Sequence, residues 1–175
     1  MAPMGDEVSV AFRSVSGDEL RFDWELERLR ALDPAAADPP PWRLAGDVDW
    51  DEIERVRVLS TRFEDGPMLA LAAILPAGAG GHGEEAITGL LIHTDGGAEE
   101  LDEVLLSTEY GTDRSPRRVG LELYRGDAHV PLRIAGESTG ESAHADGGIR
   151  HEHVSFALRG PGGDGVGALD ILRAE

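Results

Sequence analysis

The chain has 175 residues, with 34 acidic and 16 basic side chains and a net charge of −18. That length suits one domain with roughly 70% of its unfolded surface buried, and the charge disfavours nucleic acid and anionic membranes as partners, because phosphates would approach against a repulsive field. Cys and Lys are both absent, which removes disulfides, thiol nucleophiles, thiolate metal sites, Schiff-base chemistry and the phosphate-binding lysine of a P-loop.

All the basic residues are Arg, and Asn and Gln are missing as well. Codon usage in a GC-rich genome is the ordinary reason, and a salt-adapted surface is the alternative. The Arg residues do not cluster: Arg55, Arg57 and Arg62 are followed by a gap to Arg114. The longest apolar run, Pro67 to Pro76, is half the ~20 residues of a membrane span. The N-terminus MAPMGDEVSV has neither a basic start nor an apolar stretch, so a soluble cytoplasmic protein is expected.

In chain order, residues 1–32 read as a hairpin. Val8, Val10 and Phe12 alternate with polar neighbours, Ser16-Gly17-Asp18 supplies a turn, and Leu20, Phe22, Trp24 and Leu26 alternate again. A helix competes for the end of this segment, because Phe22, Leu26 and Leu29 also fit i, i+4, i+7. The strand reading is preferred to about Leu26. Residues 33–49 begin with DPAAADPPP, a stiff connector whose prolines suit neither a ladder nor a helix. Asp49 is placed to cap a short turn, with Glu52 three residues on.

Residues 50–175 form the body. Strands are expected near 55–63, 67–75, 86–94, 101–110, 117–125, 129–136, 149–158 and 165–173. Val119, Leu121 and Leu123 alternate with Gly120, Glu122 and Tyr124, and Val154, Phe156 and Leu158 alternate with Ser155 and Ala157. The links Asp65-Gly66, Asp95-Gly96-Gly97, Gly126-Asp127 and Gly160-Pro161-Gly162-Gly163 are turn-like, so neighbouring strands should pair antiparallel. The fold class is therefore all-β: a single domain, an antiparallel meander closing into an up-and-down barrel of about eight strands with an N-terminal hairpin. A two-layer sandwich is the other architecture this pattern allows. Gly-rich loops at 77–83 and 136–148 would lie at the barrel ends.

No catalytic set emerges, and no G-x-S-x-G occurs. His82, Glu84 and Glu85 sit in a Gly-rich stretch able to approach a ligand, although a solvated loop is the commoner outcome for such a segment. His151-Glu152-His153 has the spacing that puts two imidazoles on one strand face. The apolar residues Val154, Phe156 and Leu158 share the parity of Glu152, however, so both histidines should point outward, into solvent or under the N-terminal hairpin. No third ligand follows within a few residues, and neither a metal nor a cofactor is expected. Glu152 then lies on the inner face, where apolar surroundings would favour a neutral acid; full solvation at the rim is the plainer alternative. Thr108 and Tyr110 end an inner face begun by Val104 and Leu106, and His93 shares parity with Ile87 and Leu91.

The segments Arg62 to Leu71, Pro116 to Leu123 and Gly165 to Asp170 resemble the C-terminal half of lipocalin-like hydroxyneurosporene synthase and carotenoid hydratase relatives. The likeness spans about Trp50 to Arg173, and no catalytic residue carries over. It implies an apolar terpenoid or polyketide-like ligand inside a lipocalin-like barrel; the ligand-contacting candidates, read from strand parity and the Gly-rich stretch, are Thr108, Tyr110, Glu152, His93, His82 and Glu84. Any chemistry would be cofactor-free cyclisation, isomerisation or hydration, with Glu152 supplying a proton. The competing expectation is a non-enzymatic β-module for protein contact or assembly, in which Trp24, Trp42 and Trp50 form an exposed patch. The sequence leaves a homodimer open.

Overall fold

The computed structural model describes residues 7–13, 19–36, 39–78, 85–126, 130–161 and 163–175. Two antiparallel sheets account for nearly all of them. A small sheet of order β1-β2-β3 contains β1 (Glu7–Arg13), β2 (Glu19–Glu25) and β3 (Trp42–Ala45), with helix α1 (Leu26–Arg30) following β2. The large sheet contains β4 (Ile53–Phe63), β5 (Met68–Pro76), β6 (Ala86–Ile92), β7 (Ala98–Glu100), β8 (Glu103–Tyr110), β9 (Pro116–Tyr124), β10 (Leu132–Asp146), β11 (Ile149–Gly160) and β12 (Gly163–Ala174).

The large sheet has the order β7-β6-β5-β4-β12-β11-β10-β9-β8 and curls strongly. It is two meanders joined by pairing of β12 with β4, with Leu169 opposite Leu59. An up-and-down barrel must join its first and last strands, and that join is present. The ring opens instead between neighbours in sequence. β7 is three residues long and pairs only with Leu90 to Ile92 of β6, while β8 pairs only with β9. Leu101 and Asp102 turn the chain from one edge to the other, tied by Leu101 N–H to the Gly89 carbonyl. The sheet thus has nine strands, not the expected eight, and a seam between β6 and β8.

Strand parity sorts the side chains into two cores. Leu59, Leu69, Leu71, Val119, Leu121, Leu123, Phe156 and Leu158 belong to the inner one. The outer one puts Phe22, Trp24, Leu26 and Leu29 against Val56, Val58, Ala70, Ala72 and Ile92. This is why β5 is buried along eight consecutive residues, Met68 to Leu75: both of its faces are covered.

The small residues answer where room is left. Ala70 and Ala72 lie under the small sheet. Gly120 has the Ser107 hydroxyl beside it; at Gly89 a methyl group would meet Leu101 at 3.4 Å, and at Gly167 it would meet Leu158 at 2.9 Å. Leu158 also lies over Gly136, and Phe63 over Gly160 and Gly165. Gly120 has the parity opposite to Val119 and Leu121 and faces out, while large neighbours occupy the space over Gly89, Gly136, Gly160, Gly165 and Gly167, so the inner face packs on itself.

Local expectations need four corrections. The strand and helix readings of residues 20–30 are both right in sequence, β2 ending at Glu25 and α1 burying Leu26 and Leu29. The connector contains β3, which adds to the hairpin edge with Trp42 opposite Trp24. Trp24 and Trp42 are buried and Trp50 packs against the outer core, so no exposed tryptophan patch exists. The loop expected at 136–148 is the far half of β10, paired with β11 out to Asp146 opposite Ile149. Its exposed side chains on both faces leave no apolar period to read, and Gly147 and Gly148, both at positive φ, make the two-residue turn.

Candidate functional site

Two buried polar networks lie on opposite faces of the large sheet. The outer one is built on β11 and β12. His153 is opposite Asp170 in the ladder, and His151 is opposite Leu172. Both histidines and Asp170 project outward, where the connector crosses. Asp170 Oδ1 accepts from His151 Nε2 and from His153 Nδ1, each at 2.7 Å, and Trp42 Nε1 donates to Oδ2 at 2.9 Å. The second ring nitrogen of His153 donates to the Pro34 carbonyl at 2.7 Å. His144, opposite His151 on β10, stands edge-on to it with ring centroids 5.0 Å apart.

Both partners of the His153 ring are oxygen acceptors, so the imidazolium satisfies this site best. Burial alone would lower the His153 pKa, but the hydrogen bond and charge of Asp170, with the Pro34 carbonyl, outweigh it and raise the value. Burial likewise works to raise the Asp170 pKa, and the donors His151, His153 and Trp42 together with the His153 charge hold it below the ordinary range. The network is a charged clamp holding Pro34 and Trp42 onto the wall of the large sheet.

The inner network lies at the end of the curl toward which β4 begins. Arg57 has 1% of its side chain exposed and pairs through Nε and Nη2 with Glu85, itself 1% exposed. Its Nη1 donates to Thr108 Oγ1 at 3.2 Å, linking β4 with β8. Arg55 reaches the same carboxylate at 3.4 Å. A cleft of about 400 Å³ runs along the seam beside it, lined by Ile87, Val104, Leu105 and Leu106 with Glu85, Asp102, Glu103 and Ser107.

The sequence-selected residues do not converge. Thr108 joins the inner network. Glu152 faces Arg150 at 3.0 Å and Arg173 at 3.8 Å, so guanidinium groups replace the apolar surroundings expected for it. Tyr110 follows a register shift near the end of β8 and is 43% exposed. His93 closes the β6–β7 turn, half out in solvent, with Nε2 3.2 Å from Glu99. His82 and Glu84 lie outside the described residues. The outward direction expected for His151 and His153 holds, and the cover above them is the connector. Sequence reasoning sought a third ligand within the same strand; the structure supplies Asp170 from the next one. Its signal was legible: an acid where Ala168 and Leu172 share its parity.

Compared with known proteins, the chain matches no protein family and no characterised relative. Among the described residues, no helix is long and apolar enough to cross a membrane.

Proposed function

We propose that this domain binds an apolar small molecule along the seam of its curled sheet, as a lipocalin-like container opened on one side. The observation that carries this reading is the meeting of two half-paired edges. Ala86 to Thr88 of β6 and all of β8 have ladder partners on one side only, and the space between them is lined by Ile87, Val104 and Leu106. Its volume of about 400 Å³ lies within the ~300–1,000 Å³ of small-molecule sites. Glu85 supplies a polar group at one end of the lining, held there by Arg57, which in turn donates to Thr108 Oγ1. An apolar side of Ile87, Val104, Leu105 and Leu106 faces a polar rim of Glu85, Asp102, Glu103 and Ser107, and the reading is of a binder.

N-phenyl-1-naphthylamine is a suitable probe. A saturable, blue-shifted fluorescence rise is expected, removed by Ile87→Trp, which fills the cleft from a half-buried position. A linear, unsaturated rise, or one untouched by Ile87→Trp in a folded variant, overturns the proposal. A second reading rests on the same free edge: Leu105 is 47% exposed on β8, a strand with an unused row of backbone donors and acceptors. Strand addition by a second copy would give a homodimer. Concentration-dependent sedimentation with slowed amide exchange in β8, and no response to the dye, would favour it over the small-molecule site.

A further inference from the structure

We propose that His151 Nε2, His153 Nδ1 and Asp170 Oδ1 form a binding site for one divalent transition-metal ion, zinc being the natural occupant. These three atoms, from two adjacent strands, all lie within 4.8 Å of one another. Two imidazoles and one carboxylate are a common zinc donor set, with a fourth position left for water or a ligand. Tetrahedral zinc with bonds of ~2.0–2.1 Å holds its ligand atoms about 3.3 Å apart. Both His–Asp separations are 2.7 Å, so each must widen by about 0.6 Å, a movement that small side-chain rotations supply.

The independent observation is the outer shell. A metal-bound histidine nearly always donates its other N–H to a carbonyl or carboxylate, and a bound carboxylate is itself hydrogen-bonded. His153 Nε2 donates to the Pro34 carbonyl, leaving Nδ1 to face the centre. Trp42 Nε1 holds Asp170 Oδ2, leaving Oδ1 to face the same point. The three facing atoms are held together by the hydrogens of His151 and His153 that point at Asp170 Oδ1, the positions a metal ion would take over. On binding, one proton of His153 leaves to solvent and His151 moves its ring proton to Nδ1, so the metal takes the place of the two hydrogens directed at Asp170. His151, with 14% of its side chain exposed, forms the opening beside His144, and a chain of charge −18 raises the local concentration of cations.

Full-length protein stripped with a chelator would be titrated with Co²⁺, following its visible d–d absorption, and then with Zn²⁺ in competition. One equivalent is expected to bind with the strong absorption of a four-coordinate ion and to be displaced by zinc. His151→Ala, a half-buried change, should weaken binding more than about a hundredfold, and Trp42→Phe, acting only through Asp170, by about 10–100-fold. His93→Ala, at the β6–β7 turn, should leave it unchanged. Circular dichroism establishes that each variant is folded. Absence of the band, or an affinity that a folded His151→Ala retains or that His93→Ala lowers equally, overturns the site.

Discussion

The two buried polar networks make an instructive pair. Arg57 and Glu85 sit at the inner end of the curl, two opposite charges, each 1% exposed, with one hydroxyl neighbour and Arg55 3.4 Å from the same carboxylate. Asp170 and His153 sit on the outer wall, equally hidden, but surrounded by donors and acceptors from three separate segments. The inner pair meets its desolvation cost mainly by mutual attraction, so it is stable only as a pair. The outer cluster meets it by hydrogen bonding, and its members hold the connector to the barrel. One network joins β4 to β8 across the opened ring; the other joins the small sheet to the large one.

Breaking the inner pair should give the largest effect. Arg57→Met alone leaves the Glu85 carboxylate with only Arg55 and should cost about 3–5 kcal/mol, whereas Arg57→Met with Glu85→Leu should be near neutral or stabilising. Urea midpoints of the three proteins decide it, and a double variant as unstable as the single one would erase the contrast with the outer cluster. Asp170→Asn should cost less, about 2–3 kcal/mol, the loss of charge-assisted bonds. Because those bonds anchor Pro34 and Trp42, limited proteolysis should speed up in the connector before it does in β4 to β12.

The pH dependence sharpens the same comparison. His153 has a raised folded pKa, so its contribution is complete below the unfolded value of ~6.5 and is lost as pH rises through the folded value. Asp170 has a lowered one, so its contribution is present above ~3.9 and lost as pH falls through the folded value. Metal-free protein should therefore gain most from the clamp between about pH 4 and 6.5, and Asp170→Asn should flatten the profile on both sides. Thermal melts across this range test the sign. Trp24→Phe, which removes the 2.9 Å bond from Nε1 to the Ser60 hydroxyl, should cost about 1 kcal/mol. Smallest of all, Arg118→Ala should change stability by under ~0.5 kcal/mol, since its contacts to Glu109 and Glu137 lie at 3.9 and 3.8 Å among exposed side chains.

Much of this architecture was legible before any coordinates. Each of the eight expected strands has a counterpart, because alternation along a strand is a local property that turn residues punctuate. The reading lost β3, the three-residue β7 and the far half of β10, where pairing is dictated by a neighbour and not by an apolar face. It placed His151 and His153 outward by parity, into solvent or under the N-terminal hairpin, whereas the connector covers them, and it passed over Asp170. It held a solvated rim as the plainer place for Glu152 beside the neutral-acid reading, and named neither Arg150, two residues away on the same face, nor Arg173 on the next strand as its partner.

From residue order alone come the all-β class, the inner and outer faces of the main strands and the outward direction of His151 and His153, since these depend on backbone geometry and nearest neighbours. Only the folded arrangement decides that the ring joins at β4 and β12 and opens at β8, that Leu101, Leu158 and Phe63 occupy the space over the inner glycines, and that Trp42 and Pro34 meet Asp170 and His153. The reason is distance along the chain. The hydrogen bonds of the outer cluster span 17 to 128 residues, and no periodicity encodes a partner that far away.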